Sequence, residues 1–444
     1  MSKRVLMVAF QFPPFQGSSG IHRTLSFCRY LPENNWQPLV LTPKARAYPR
    51  RSDDLLSKIP QDLVVKKTFA LDAARDLAIM GRYLRCSAIP DQWASWWFSA
   101  VPAGLRMIKQ YRPQAIWSTY PTSSAHMIAM TLQRISGLPW IADFRDPMIY
   151  ESFPTEPMTR RSRSWLERKT LQNCASAVFV TPSAQALYQG RYPSLPDSRF
   201  TLISNGYDEE SFSSLSAAAI PTPLDASRPL VLVHSGLLEP QDRDPEPFFT
   251  ALAQLLEQGR IQRGQLKVIL RASGSESLYH EQIKARGLSD MIALKPHCSY
   301  PQALEEMLSA DGLLVFQGSD CNRQIPGKIY EYIRARKPIL SLVDMRGDTA
   351  QLLTALGIDT CAKIDDAEDI ARALDRFVTL LGQRQAPVAG EEDVQRYSRH
   401  HKAVELAQLL DSVMCCHPYF CSYVFTGYEN FQCRVFARPI VVFL

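Results

Sequence analysis

The amino-acid sequence predicts an α/β protein of two doubly wound, parallel-sheet domains, and three observations carry that expectation. The chain has 444 residues, which at roughly 150 per domain leaves room for two or three hydrophobic cores. Short apolar runs alternate with helical patterns in two successive series, the order that parallel sheets require because each parallel connection needs a helix-length crossover. Between the series lies a stretch rich in Ser, Ala and Pro, residues 211–228, which reads as a linker. The expected divisions are 1–210, 229–385, a terminal helical segment over 386–413, and a tail over 414–444.

The first series has strand-like runs at Val5–Phe10, Pro38–Leu41, Ala115–Ser118, Trp140–Ala142 and Ala177–Val180. Each is short and largely apolar, as strands covered on both faces are. Helical patterns fall between them, at Arg23–Tyr30, Ser124–Ile135 and Arg160–Leu171. Thr181-Pro-Ser183 caps a further helix, and Asn205-Gly206 makes a turn where the first domain hands over to the second. The second series runs Leu230–Val233, Leu266–Leu270, Met291–Leu294, Gly312–Phe316 and Pro338–Leu342. Its helices are Pro247–Glu257, Ser277–Arg286, Tyr300–Ser309, Lys328–Ala335 and Asp366–Leu381. Within Glu391–Val413 the spacing of Ala403, Leu406, Ala407 and Leu410 marks a terminal helix. The tail that follows carries eight aromatics and four cysteines in 31 residues without a helical period.

Composition narrows the function classes. At 46% hydrophobic and 21% charged the chain is neither disordered nor collagen-like. No stretch approaches the ~20 apolar residues that span a bilayer, and the mean hydropathy is −0.16, which argues against an integral membrane protein. The Lys-Arg start and short apolar run superficially resemble a signal peptide, but the run breaks at Pro13-Pro14 and no small-residue cleavage site follows, so a first strand is expected. Of ten cysteines, four crowd the tail and six are scattered with no zinc-ligand spacing, which favours reduced thiols and a cytoplasmic protein. Charge is split: 26 Lys and Arg against 13 Asp and Glu in residues 1–207, a net of +13, and 24 against 31 in residues 208–444, a net of −7. All seven tryptophans lie in the basic part, which suggests an anionic partner for it. The basic residues are dispersed and no nucleic-acid-binding module is recognisable, so a nucleic acid is not that partner.

Four segments carry chemistry. Phe12-Pro-Pro-Phe-Gln-Gly17-Ser-Ser-Gly20-Ile-His-Arg23 follows the first strand, and its glycines Gly17 and Gly20 let backbone amides approach an anion at a helix start. Its spacing is not that of a dinucleotide fingerprint. Trp140-Ile-Ala-Asp143-Phe-Arg145-Asp146-Pro147 sets charged groups at the carboxyl edge of the sheet, where α/β proteins bind ligands. There Asp143 and Asp146 can accept sugar hydroxyls and Arg145 can pair a phosphate; the competing reading is an Arg–Asp pair that fixes a loop. Neither Thr181-Pro-Ser183 nor Ile203-Ser-Asn-Gly-Tyr-Asp208 carries chemistry alone. Val233-His-Ser-Gly236, with Arg243 beyond it, opens room for a ligand and offers it a cation, while His234 reads as a packed residue. Gln324-Ile-Pro-Gly-Lys328-Ile-Tyr-Glu331 combines a loop, a helix start and Lys328, which suit a diphosphate, with Glu331, an acceptor suited to a ribose diol.

In this order over about residues 3–412, the segments resemble a family 4 glycosyltransferase with the GT-B fold: Phe12-Pro-Pro…Arg23, Asp143-Phe-Arg-Asp-Pro147, Val180-Thr-Pro-Ser183, Ile203–Asp208, His234-Ser-Gly236 and Pro326-Gly-Lys-Ile-Tyr-Glu-Tyr332…Lys337-Pro338. The resemblance implies two Rossmann-like domains facing across a cleft, with the terminal helix crossing back to the first. It implies a nucleotide-sugar donor on the second domain and a glycan or lipid-linked acceptor on the first. Transfer would be retaining, without metal or other cofactor, in polysaccharide or lipopolysaccharide synthesis. Carried over by position, Glu331 takes the second glutamate of the family's E-x7-E motif, Arg323 stands in place of the first, and Gly17, Gly20, Gly236, Arg243 and Lys328 line the donor. The usual histidine after the fourth strand is replaced by Asp143-Phe-Arg145-Asp146, the expected catalytic group. A GT-B-fold sugar-nucleotide epimerase and a non-catalytic scaffold are the alternatives. The clusters Arg46–Arg51, Lys66-Lys67 and Arg160–Arg163, with Trp93–Phe98, suit docking on an anionic membrane at the inner face of the plasma membrane.

Overall fold

A computed structural model describes residues 2–17, 20–150, 153–213, 215 and 228–415. The first sheet contains β1 (Lys3–Val8), β2 (Trp36–Pro43), β3 (Val64–Thr68), β4 (Ala115–Thr119), β5 (Trp140–Arg145), β6 (Ser176–Phe179) and β7 (Phe200–Leu202). The second contains β8 (Leu230–Ser235), β9 (Leu266–Arg271), β10 (Ile292–Lys295), β11 (Gly312–Gln317), β12 (Ile339–Val343) and β13 (Cys361–Ala362). Their orders are β3-β2-β1-β4-β5-β6-β7 and β10-β9-β8-β11-β12-β13. Val5 of β1 sits opposite Pro38 of β2 and Ala115 of β4, and the neighbouring pairs are likewise parallel. In each sheet the order reverses beside the domain's first strand, between β1 and β4 and between β8 and β11, where an open α/β sheet leaves a crevice at its carboxyl edge.

Alternation along β1 explains why both faces are covered. Leu6 and Val8 join Trp96 and Ile128 in one core, while Val5 and Met7 join Phe27 and Trp117 in another. Neighbouring side chains on a strand point to opposite faces, so a run that is apolar throughout needs helices on both. The second sheet repeats this, with Leu232 in one core and Val233 in the other.

The terminal helix, Arg399–Cys415, returns to the first sheet. Ala403, Leu406, Ala407 and Leu410 enter the core that holds Val5 and Met7, and Asp411 pairs with Lys3 and accepts a 3.0 Å bond from Trp36 Nε1. Where the chain crosses between domains the two strands of passage bond each other: Tyr207 N donates to Tyr397 O at 3.0 Å, and Arg399 N to Tyr207 O at 2.9 Å. A Cβ on Gly206 would collide with the Tyr397 carbonyl, so the close crossing requires glycine there.

Several elements lie outside the sequence reading, among them β3, β7, β13 and the helices Trp96–Tyr111 and Asp348–Ala355. β3 and β7 are short edge strands, and β3 leaves Lys66 and Lys67 exposed, so neither shows a continuous apolar run. The helix Trp96–Tyr111 opens on a tryptophan pair and holds Pro102, which hides its period. Consequently Trp93–Phe98 is mostly interior: Trp96 is buried, Trp93 packs 4.3 Å from Phe10, and Trp97 Nε1 donates to Thr131. Of its aromatics only Phe98 is exposed, which corrects the expectation that this run meets a membrane. Most of the expected linker (214 and 216–227) and of the tail (416–444) lies outside the described residues. Among the described residues no helix is long and apolar enough to cross a membrane.

Candidate functional site

The carboxyl edges of both sheets face one cavity of about 260 Å3. Arg145, Asp146 and Asn205 line it from the first domain; Arg243, Gln317, Cys321 and the Gln324–Gly327 loop line it from the second. The end of β5 is shaped for this. Its register with β6 shifts between Asp143 and Arg145, and Arg145 has φ +56°, in the left-handed region that non-glycine residues seldom adopt. The kink turns the next charged groups out of the sheet plane and toward the cavity.

Asp143 does not follow them. It is 0% exposed; Arg23 grips both carboxylate oxygens, from Nε at 2.9 Å and Nη2 at 3.1 Å, and the Thr119 hydroxyl adds a third bond at 3.2 Å. Arg23 also donates to the carbonyls of Ile203 and Ser204, tying β5 to the chain after β7. With its acceptors taken and no surface to offer, Asp143 cannot meet a sugar hydroxyl, and the expected catalytic trio reduces to Arg145 and Asp146. The Arg–Asp pair weighed in the sequence is real, but its arginine is Arg23.

Arg145 donates from Nη1 to Gln11 Oε1 and to the Tyr120 carbonyl, both at 3.1 Å, and its Nε has no hydrogen-bond partner among the described residues. Burial disfavours its charge, which Asp146 and Asp143 partly restore. Burial likewise pushes the Asp146 carboxyl up, Arg145 pulls it back, and Asp143 adds to the rise. Gly20 serves this pair: a Cβ there would overlap the Arg145 guanidinium and Gln11. That glycine makes room for a side chain of the protein itself. Gly17 has φ +112°, which only glycine adopts readily, and no atom crowds its missing Cβ.

On the second domain, Lys328 Nζ donates to the Ser235 carbonyl at 2.6 Å, and the absent side chain of Gly236, φ +123°, leaves the space it fills. Burial, then the charge of Arg243, brings the Lys328 ammonium down to about 8. Arg243 Nε is 3.2 Å from Asp242, within ion-pair range but without hydrogen-bond geometry. Two cations that act on each other electrostatically in this way make a site for an anion. Glu331 lies on the same helix, Gly327–Ala335, and accepts the Tyr300 hydroxyl at 2.8 Å; burial raises its carboxyl. His234 is buried, donates Nδ1–H to the Leu314 carbonyl at 3.0 Å and is held neutral by burial, so it packs as the sequence suggested. The Arg323 carbonyl accepts the Thr181 hydroxyl at 2.9 Å, which sets this residue at the seam between domains. Sequence reasoning missed Asn205, Cys321 and Tyr300, whose roles arise only from the approach of separate loops. A second, wider groove lies on the outer side of the same loops, lined by Asp242, Asp244, Asp320, Asp344 and Asp365 with Arg346 and Lys363. Its carboxylates would repel a phosphate, so the cation-lined cavity is the better anion site.

Residues 20–206 match the family model described as a glycosyl transferase 4-like domain. No curated protein matches the sequence. Among solved structures, a sucrose-phosphate synthase from Thermosynechococcus elongatus superposes with TM-score 0.61 at 14% identity, covering 93% of this chain and 100% of that one. Anabaena HepE in complex with UDP-glucose gives 0.60 at 15%, covering 92% and 99%. A Neisseria meningitidis UDP-GlcNAc 2-epimerase bound to UDP-GlcNAc gives 0.51 at 11%, covering 92% and 100%. At these identities the likenesses establish the fold. The chain has the GT-B fold, and its residues 20–206 match the glycosyl transferase 4-like domain.

Proposed function

We propose that the protein transfers a hexosyl group from a nucleotide-sugar donor to a glycan or lipid-linked acceptor, with retention at the anomeric carbon, in the synthesis of a cell-surface polysaccharide or lipopolysaccharide. The observation that carries this reading is the cavity between the sheet edges, which joins Arg145 and Asp146 to Arg243, with Lys328 beside Gly236. The complexes of HepE with UDP-glucose and of the epimerase with UDP-GlcNAc lend it support.

In this mechanism the bond from C1 to the diphosphate oxygen breaks while the acceptor oxygen bonds C1 on the same face, and the acceptor's proton passes to the departing diphosphate. Negative charge grows on that leaving group, so preorganised cations lower the barrier. Arg243, Lys328 and Arg145 are suited to supply them without a metal. Glu331, oriented by Tyr300, accepts the ribose hydroxyls. Asp146, whose carboxyl burial raises, accepts a hydroxyl of the transferred sugar or of the acceptor. No protein nucleophile is required. The basic first domain, net +13 over residues 1–207, faces the anionic cytoplasmic surface on which a lipid-linked acceptor would be carried.

Incubation with a panel of nucleotide sugars tests the reading. Nucleoside diphosphate should be released from at least one donor, faster when a lipid-linked or glycan acceptor is added. Conversion of a donor to its 2-epimer without acceptor would support an epimerase instead, and absence of nucleotide binding a scaffold. A glycosyl adduct trapped on Asp146 would overturn the one-step mechanism.

A further inference from the structure

The three most exposed large apolar side chains among the described residues share one loop: Met80 at 99%, Ile79 at 79% and Leu84 at 76%. The loop has a defined shape. Ile79 and Arg82 exchange backbone bonds of 2.8 and 3.0 Å, and Met80 and Gly81, with φ +49° and +74°, form the turn between them. Turns with two positive φ values favour Asn or Asp before Gly, so Met80 holds its place against local backbone preference. The base is anchored by Asp72, which caps the Ala73–Asp76 helix, and by the bond from Ala73 N to the Gln92 carbonyl.

Charge follows the same pattern. Between Asp76 and Asp91 there is no acidic residue, while Arg82 and Arg85 flank the apolar tip. The start of the helix Pro157–Asn173 lies alongside: Arg163 Nε donates to the Pro90 carbonyl at 3.4 Å, and Arg85 acts electrostatically on Glu156. That helix start adds Arg160 and Arg161 and exposes Met158 and Trp165. Arg160 donates to the Tyr150 carbonyl, and the Tyr150 hydroxyl accepts from Gln324 at 3.1 Å, so this face runs on to the rim of the cavity.

We propose that the loop Leu77–Arg85 inserts its Ile79–Met80–Leu84 tip into the interface of an anionic bilayer, with Arg82, Arg85 and the arginines of the neighbouring helix on lipid phosphates. Apolar side chains ringed by arginine match the depth profile of such an interface, acyl boundary below and phosphates above. The protruding apolar turn and the absence of any acidic residue between Asp76 and Asp91 favour this partner over a protein groove, with Glu156 the carboxylate nearest Arg85. The inference deepens the membrane part of the proposed function but does not rest on glycosyl transfer, since its test uses neither donor nor acceptor.

The test is flotation of the full chain with vesicles of phosphatidylcholine alone and with roughly one-third phosphatidylglycerol. The wild type should float with the anionic vesicles and release in high salt. Combined Ile79→Ser, Met80→Ser and Leu84→Ser substitution should weaken binding about tenfold or more, with an unchanged melting temperature because all three side chains lie outside the cores. Combined Arg82→Glu and Arg85→Glu substitution should abolish the preference for anionic lipid. Equal binding of wild type and serine variant would overturn the proposal, as would no preference for anionic vesicles. A serine variant that changes the oligomeric state by light scattering and not vesicle binding would assign the loop to a protein interface instead.

Discussion

Asp143 and Asp146 stand three positions apart at one strand end, yet the kink at Arg145 gives them opposite work. Asp143 is the partner of a buried guanidinium, and removing one member of such a pair leaves an uncompensated charge inside the protein. Asp143→Ala should therefore destabilise the fold by about 3–5 kcal/mol, read by denaturant unfolding. Asp146→Ala should leave the unfolding midpoint nearly unchanged while reducing transfer sharply. Equal losses of stability in the two variants would refute the division. Lys328 carries a second residue-scale prediction. Its pKa lies near 8 in the free protein, below the ordinary lysine value, so its charge is present below that pH and lost as pH rises through it. Affinity for a nucleoside diphosphate should fall across about pH 7 to 9. In Lys328→Arg, whose guanidinium stays protonated, that fall should disappear; titration calorimetry at several pH values decides it.

At the scale of elements, periodicity made most of the fold legible. β1, β4, β8 and β11 are apolar enough on both faces to read as buried strands, and the helix Tyr300–Ser309 lies where its pattern sets it. The edge strands β3 and β7 were hidden because an edge needs only part of an apolar pattern. The helix Trp96–Tyr111 was hidden because Trp and Pro obscure amphipathic spacing. Site residues followed the same rule. Arg243, Lys328 and Glu331 lie in segments whose loop-to-helix order is local, so the sequence could single them out as candidates; of the three, Arg243 lines the cavity. The pairing of Asp143 with Arg23 joins positions 120 apart in sequence, which no local pattern discloses; Gly20 looked like a ligand loop because glycine shows only that space is needed, not what fills it. The terminal helix is a testable element in its own right. Leu406 is buried against the first sheet, so Leu406→Ala should cost about 2–5 kcal/mol, measured as a lower unfolding midpoint of the first domain. A null effect would mean the helix is not part of that core.

At the scale of the molecule, function requires the two sheet edges to meet. Three contacts join them beside the cavity: Thr181 to the Arg323 carbonyl, Ser183 to the Asp348 carboxylate, and Gln324 to the Tyr150 hydroxyl. Asp348 takes both the backbone amide and the hydroxyl of Ser183, so it also stabilises the positive end of the Pro182–Arg191 helix across the domain seam. Asp348→Ala should shift the population toward an open cleft, seen as a larger radius of gyration in X-ray scattering that shrinks when a nucleotide binds. An unchanged radius would show that these bonds do not hold the domains. The charge split fits this assembly, since the second domain, with 18 Lys and Arg against 21 Asp and Glu over residues 229–385, accepts a dianion only where Arg243 and Lys328 locally reverse its net −3. The claim on which all of this turns is that the cleft is a nucleotide-sugar site. It is tested most directly by calorimetric titration of wild type and Arg243→Ala with a panel of nucleoside diphosphates. The account predicts that at least one nucleotide binds the wild type and binds the variant about tenfold or more weakly. Binding to none, or equal binding to both proteins, would contradict it.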